Sequence, residues 1–203
     1  PAGAFVTIKA VLFDLDNTLI DRDAAMADWL ATVVPAEQVA SLLELDQGSY
    51  GPRPVVFAAI GAAAGLSATE TRSRFFREMP SLVRLRPDAD QLLSRLSRPA
   101  VIVTNGASQV QRAKIVAAGL TTRIRGAVVS GEVGSEKPDP EIFLLALRLA
   151  GCTAQEAVMV GDHPVNDIAG AQAAGIEPVF VRSRWFPPPT GVRAIDKLTE
   201  LEW

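Results

Sequence analysis

The stretch Lys9-Ala10-Val11-Leu12-Phe13-Asp14-Leu15-Asp16-Asn17-Thr18-Leu19 decides the fold. It opens as a short β-rich apolar run bounded by polar residues and then turns acidic. Near-continuous apolar runs of this kind mark strands that are covered on both faces. Similar runs recur at Pro99 to Thr104 (PAVIVT), Gly126 to Ser130 (GAVVS), Ala157 to Gly161 (AVMVG) and Glu177 to Arg182 (EPVFVR). Between them the spacing predicts helices over Pro87 to Leu96, Ser108 to Ala118, Pro140 to Ala150 and Val165 to Ala174. Pro87 and Pro140 stand at a first helical position, and Gly175 marks a stop. Strand and helix alternate, so the expected class is α/β, with a parallel sheet and helices on both faces.

From about Asp21 to Arg86 that alternation breaks. Four amphipathic helical patterns follow one another (AAMADWLATVV, AEQVASLLEL, VVFAAIGAAAG and ATETRSRFFREM), with no convincing strand among them. This reads as a small all-helical insertion, so the expected division is a core of residues 1–20 and 86–203 and an insertion of 21–85. Placed directly after the first strand, the insertion lies over the carboxyl ends of the strands, where ligands bind in open α/β sheets. Trp29, Phe57, Phe75 and Phe76 sit at helical spacing and read as its core. Arg53, Arg72, Arg74, Arg77, Arg84 and Arg86 make it basic, but Glu70, Glu78 and Asp88 are interspersed, which favours solvated helix faces for most of them. Trp185 to Gly191 (WFPPPTG) reads as a proline-stiffened loop that caps the sheet edge, with walling a pocket or covering a dimer contact as alternatives.

At 203 residues and 48% hydrophobic content the chain can bury a real core. A formal charge of −3, from 20 basic and 23 acidic residues without a run of one sign, argues against a nucleic-acid partner. The single cysteine, Cys152, has no partner for an internal disulfide, and no Cys/His cluster could hold zinc, which suits a reducing cytoplasmic setting. The apolar N-terminal stretch is broken by Lys9 and Asp14, too short for a signal core or a membrane span. A soluble, cytoplasmic monomer or homodimer is therefore expected.

Four local patterns carry chemistry. Asp14 and Asp16 are two apart at a strand end, so both carboxylates leave on the same side. Held that close they repel, and a hard cation such as Mg2+ would compensate them, although DLDNT also reads as an ordinary polar turn. Thr104-Asn105-Gly106 ends a second strand ahead of a helix, where a hydroxyl and backbone amides can cradle phosphate or simply make a turn and cap. Lys137, in GSEKPDP, stands before a proline-bearing helix start, placed either to neutralise a transferring phosphoryl group or to sit in solvent. Asp162 and Asp167, in GDHPVND, follow the fourth apolar run. One can complete a metal shell while the other orients the lysine or a metal-bound water, and either is also explained as a cap. His163, the only histidine, reads as an exposed turn residue without a catalytic role.

Taken together, in this order and each at the end of its own strand, FDLDNTL, VTNG, GSEKPDP and GDHPVND resemble the four motifs of the haloacid dehalogenase-like superfamily across residues 9 to 182. The resemblance implies a Rossmann-like core, a helical cap and in-line phosphoryl transfer. It casts Asp14 as nucleophile and as a Mg2+ ligand beside Asp162 and the backbone carbonyl of Asp16. Asp16 becomes the general acid and base, and Thr104, the Asn105 and Gly106 amides and Lys137 grip the phosphoryl oxygens. Asp167 holds Lys137 or a metal-bound water. Dehalogenases of the superfamily lack an acid at the position of Asp16, so the implied activity is that of a phosphatase on a small phosphorylated metabolite. A phosphomutase, or a phospho-accepting regulatory domain without turnover, stand as alternatives.

Overall fold

The computed structural model describes residues 7–202, so residues 1–6 and Trp203 of the expected core lie outside the described residues. In chain order, β1 (Ala10–Phe13) leads into the helices α1 (Arg22–Val33), α2 (Ala36–Asp46), α3 (Arg53–Ala64) and α4 (Ala68–Glu78). Then come α5 (Pro87–Arg95), β2 (Ala100–Thr104), α6 (Ser108–Ala117), β3 (Gly126–Val129), the one-turn α7 (Ser130–Val133) and α8 (Pro140–Ala150). The chain closes with β4 (Ala157–Gly161), α9 (Gly170–Ala173), β5 (Glu177–Val181) and β6 (Arg193–Ile195). The strands form one parallel sheet in the order β3-β2-β1-β4-β5-β6. β1 lies between β2 and β4, so the order reverses there, which is where an open α/β sheet opens a crevice for ligands.

Alternate residues of each central strand enter separate cores. Val11, Phe13, Ile102, Val158 and Val160 pack on the face that also meets the helical insertion. Ala10, Leu12, Val101, Val103 and Met159 pack on the other, against Ile142, Phe143 and Ala146 of α8. Burial on both faces is the physical reason these strands read as unbroken apolar runs. Each large side chain taken fully out of water contributes about 1.5–3 kcal/mol.

The insertion is helical throughout α1 to α4, and Phe75 packs edge-on against Trp29 at 5.2 Å and Phe57 at 5.5 Å. Ser67 and Glu70 close a capping box at the start of α4. Its two connections to the core run side by side: Ile20 bridges Leu85, the Asp21 N–H donates to the Arg84 carbonyl at 3.1 Å, and the Arg86 N–H to the Leu19 carbonyl at 2.9 Å. Among the described residues no single helix is long and apolar enough to cross a membrane.

Three expectations need correction. The segment after β4 is not one α-helix: Pro164–Ala169 form a wider, π-type turn before α9. Such turns re-aim side chains, and this one carries Asp167. The WFPPPTG loop does not cap the sheet edge, a place taken by β6. It reaches the insertion instead, with Trp185 Nε1 donating to Asp23 Oδ2 at 2.6 Å, Arg184 paired with Glu44, and Phe186 edge-on to Tyr50 at 5.2 Å. Finally, His163 is half-buried, its ring 4.3 Å from Tyr50 and 4.6 Å from Phe186. Its Nδ1 accepts from the Val165 and Asn166 amides, so it caps the turn that follows.

Candidate active site

The four motifs converge at the carboxyl ends of β1, β2 and β4 and on the loop between α7 and α8. Asp14 follows β1 directly and is 5% exposed; Asp162 follows β4 and, like Asp167, is fully buried. Lys137 is also buried and lies between two of them: its Nζ donates to Asp14 Oδ1 and to Asp167 Oδ1, both at 2.6 Å. The other Asp167 oxygen accepts from the His163 N–H at 2.9 Å. Gly161 makes that arrangement possible, because a Cβ there would stand 2.3 Å from the Asp167 carboxyl. Asp167 is therefore the lysine's counter-ion, fixed through the wide turn.

Asn105 does more than its sequence position suggested. Its side-chain amide donates to the Lys137 carbonyl at 2.9 Å and accepts from the Lys137 N–H at 2.8 Å, clipping the lysine's backbone to the end of β2. The expected Gly106 amide is not open to a ligand: with φ at 139° the loop turns that N–H toward α7, where Ser130 Oγ accepts it at 2.9 Å. Thr104 Oγ1 accepts from Gln111 Nε2 at 2.6 Å, which leaves its own hydroxyl proton free to donate.

Asp16 stands apart from the acidic cluster. Lys114 Nζ donates to both its oxygens at 2.8 Å, and Gln111 Nε2 to Oδ2 at 3.0 Å. Sequence reasoning missed both donors. The signal was a polar pair three apart on α6, just after the Thr104 loop, and it needed the helix's buried face to become readable. Burial raises the Asp16 carboxyl, but Lys114 and then Arg22 outweigh it and hold the group below the ordinary range.

The central cluster has the opposite balance. Asp14, Asp162 and Asp167 bring carboxylate oxygens within 4.8 Å of one another, against the single ammonium of Lys137. Burial first, and the neighbouring carboxylates after it, push Asp14 up to about 7 in spite of Lys137, and Asp162 rises well above its usual value for the same reasons. Asp14 Oδ2 and both Asp162 oxygens are buried with no hydrogen-bond partner. Bare carboxylate oxygens in excess over cationic donors are a set that a hard divalent ion fits.

A cleft of about 430 Å3 opens above this cluster, floored by Asp14, Asp16, Thr104 and Lys137, while Asp162 and Asp167 lie buried beneath its lining. Its opposite wall comes from the insertion, including Arg22, Tyr50, Arg53, Phe75 and Phe76. A larger cleft of about 590 Å3 beside the two connections, lined by Arg86, Gln91, Arg182 and Lys197 among others, contains none of the clustered acids.

The sequence signature of the haloacid dehalogenase-like hydrolases matches residues 8–175. The chain is 41% identical over 117 residues to a phosphoserine phosphatase of Thermus thermophilus, covering 56% of this chain and 47% of that one. It thus spans about half the length of that relative. It is 30% identical over 200 residues to a glyceraldehyde 3-phosphate phosphatase of Methanopyrus kandleri, covering 86% of this chain and 84% of the other. Among solved structures, the Bacillus subtilis HAD-hydrolase YfnB bound to magnesium superposes with a TM-score of 0.79 at 24% identity, over 96% of both chains.

Proposed function

The chain belongs to the haloacid dehalogenase-like hydrolases, and from that premise we propose that it is a magnesium-dependent phosphatase of small phosphomonoesters working through an aspartyl-phosphate on Asp14. The observation that carries this reading is the one cleft onto which Asp14, Asp16, Thr104 and Lys137 all open. Lys137 bridges Asp14 and Asp167, so an entering phosphate meets the nucleophile and a fixed cation together. Asp14 attacks phosphorus as the bond to the leaving oxygen breaks, and Asp16, in the minor protonated form its depressed carboxyl allows, gives that oxygen its proton. Asp16 then takes a proton from the water that attacks phosphorus and releases phosphate and Asp14. Thr104, Asn105 and Lys137 hold the phosphoryl oxygens throughout.

Asp14, Asp162 and the Asp16 carbonyl are the groups that would hold Mg2+, whose chemistry when bound is to neutralise the charge of the carboxylates and the phosphoryl oxygens. The cleft volume of about 430 Å3 suits a sugar phosphate, a nucleoside monophosphate or a phosphorylated acid. The phosphatase names of the relatives favour the same chemistry. The test is phosphate release from a panel of those three substrate types, with and without EDTA, together with acid-quench mass spectrometry of the Asp14 peptide. Hydrolysis that survives EDTA, or a phosphoryl adduct on any other residue, would overturn the reading.

A further inference from the structure

The side chain of Asp16 does not hang free in the cleft. Lys114 Nζ reaches both of its oxygens at 2.8 Å, and Gln111 Nε2 reaches Oδ2 at 3.0 Å. The same Gln111 nitrogen lies 2.6 Å from Thr104 Oγ1, so one amide spans the acid and the hydroxyl of the phosphate cradle. Gln111 is 2% exposed and Lys114 5%, and a lysine is almost never buried to that degree without a specific partner. The loop is built around the pair: Gly106 has no Cβ, and one placed there would lie 3.1 Å from Gln111 Cγ. Among the described residues the insertion donates no hydrogen bond to the Asp16 carboxyl. Arg22, a buried cation that lines the same cleft, gives two guanidinium nitrogens to Asp46.

We propose that Lys114 and Gln111 are positioning residues for Asp16, aiming its carboxyl at the leaving oxygen and the attacking water from the core side of the cleft. The inference rests on the phosphatase reading and adds to it. Asp16 is locked to α6 and through Gln111 to Thr104, so its aim is set by the frame that grips phosphate and does not wait for the helical insertion to close. Lys114 acts through Asp16 alone, so its removal should cost nothing once Asp16 can no longer transfer a proton, whereas Gln111 also steadies Thr104 and should keep a residual cost.

That statement is tested by a double-mutant cycle on an alkyl phosphate, whose poor leaving group departs only with the proton Asp16 supplies. Lys114→Met is expected to lower kcat by roughly 10- to 100-fold, part of the contribution usual for a general acid or base, with KM within about threefold. In the Asp16→Asn background the same change should cost less than about threefold, and Lys114→Arg should recover most of the wild-type rate. Lys114→Gln repeats the cycle with a smaller loss and keeps the test decisive should Lys114→Met fail to fold. Losses that multiply in the Asp16→Asn background, or that fall on KM, would overturn the proposal. Full activity of Asp16→Asn alone would instead overturn the acid–base assignment on which it rests.

Discussion

Two buried charge clusters in this molecule have opposite balance. In the core, three carboxylates, Asp14, Asp162 and Asp167, share one lysine, Lys137. In the insertion, one carboxylate, Asp46, is shared by two arginines: Arg22 donates to both its oxygens at 2.5 and 3.2 Å, Arg53 adds a bond of 2.5 Å, and the Ser49 N–H another of 3.1 Å. Burial opposes ionisation in both places. At Asp46 the two arginines win and the carboxyl lies below its ordinary range, whereas Asp14 is pushed up to about 7. The difference teaches which cluster is finished: the insertion's charges satisfy one another, while the core's retain bare oxygens that await charge from elsewhere. A completed cluster serves the fold and an incomplete one serves a ligand.

The sharpest way to break that contrast is to remove one acid from each side. Asp14→Asn is expected to lower phosphatase kcat more than about 10³-fold, since the proposed nucleophile and metal ligand go together. Its melting temperature without Mg2+ should not fall, because a buried like-charge repulsion is relieved. Asp46→Ala should do the reverse. It strands two arginines, one of them 1% exposed, and breaking a buried pair from one side costs about 3–5 kcal/mol. At about 2–4 °C per kcal/mol for a chain of this size, the thermal midpoint should drop by roughly 6–20 °C. Since the Asp46 carboxyl is depressed in the fold, its stabilisation is present above the unfolded pKa and is lost as pH falls through the folded one. Thermal melts of the wild type should show that acid limb, and Asp46→Ala should lack it. Equal stability losses for the two variants would erase the distinction.

A finer probe is the ion itself. If the core cluster is incomplete, Mg2+ should stabilise the wild type by about 2.7 kcal/mol at a hundredfold excess over Kd. Asp162→Asn should remove most of that gain while leaving the metal-free melt unchanged or higher. A magnesium-independent melting temperature in the wild type would argue that the core cluster is as self-sufficient as the insertion's.

The same two regions differ in how much of them the sequence could disclose. Asp14 and Asp16 were readable because a strand puts i and i+2 on one side, and Thr104, Lys137 and Asp162 because each follows an apolar run or precedes a proline-marked helix start. Every one of those signals is local. The insertion's helices were readable for the same reason, but its working contacts were not: Arg22 meets Asp46 across 24 residues, and Trp185 meets Asp23 across 162. Nothing in WFPPPTG indicates a carboxylate so distant. The short β6, only Arg193–Ile195, has too little periodicity to register as a strand. The helix expected over Val165 to Ala174 was interrupted because Asp167 must turn inward to Lys137, a tertiary demand that overrides local helical spacing.

The smallest expected effect concerns the place where the two regions clasp. Two connections already tie the insertion to the core near Ile20 and Leu85, and short paired linkers of this kind can bend. The loop at Trp185 and Phe186 adds a further attachment beside them, by the Trp185 to Asp23 hydrogen bond and the edge-on packing of Phe186 against Tyr50 and His163. Tyr50 lines the active cleft, so that attachment holds one of its walls in place. Trp185→Phe keeps an aromatic ring beside Gly48 and removes the N–H that Asp23 accepts. A hydrogen bond to a charged group contributes about 1.5–3 kcal/mol, and partial exposure of both residues brings the expectation to about 1 kcal/mol. With the insertion proposed to hinge at its two connections, that energy would favour the closed arrangement and leave the core untouched. We therefore expect kcat/KM to fall about fivefold, since 1.4 kcal/mol corresponds to tenfold. The thermal midpoint should move by less than about 4 °C. Steady-state kinetics beside a thermal melt decide it: an unchanged kcat/KM would show that the clasp carries no closing energy, and a large drop in melting temperature would place Trp185 among the residues that hold the fold.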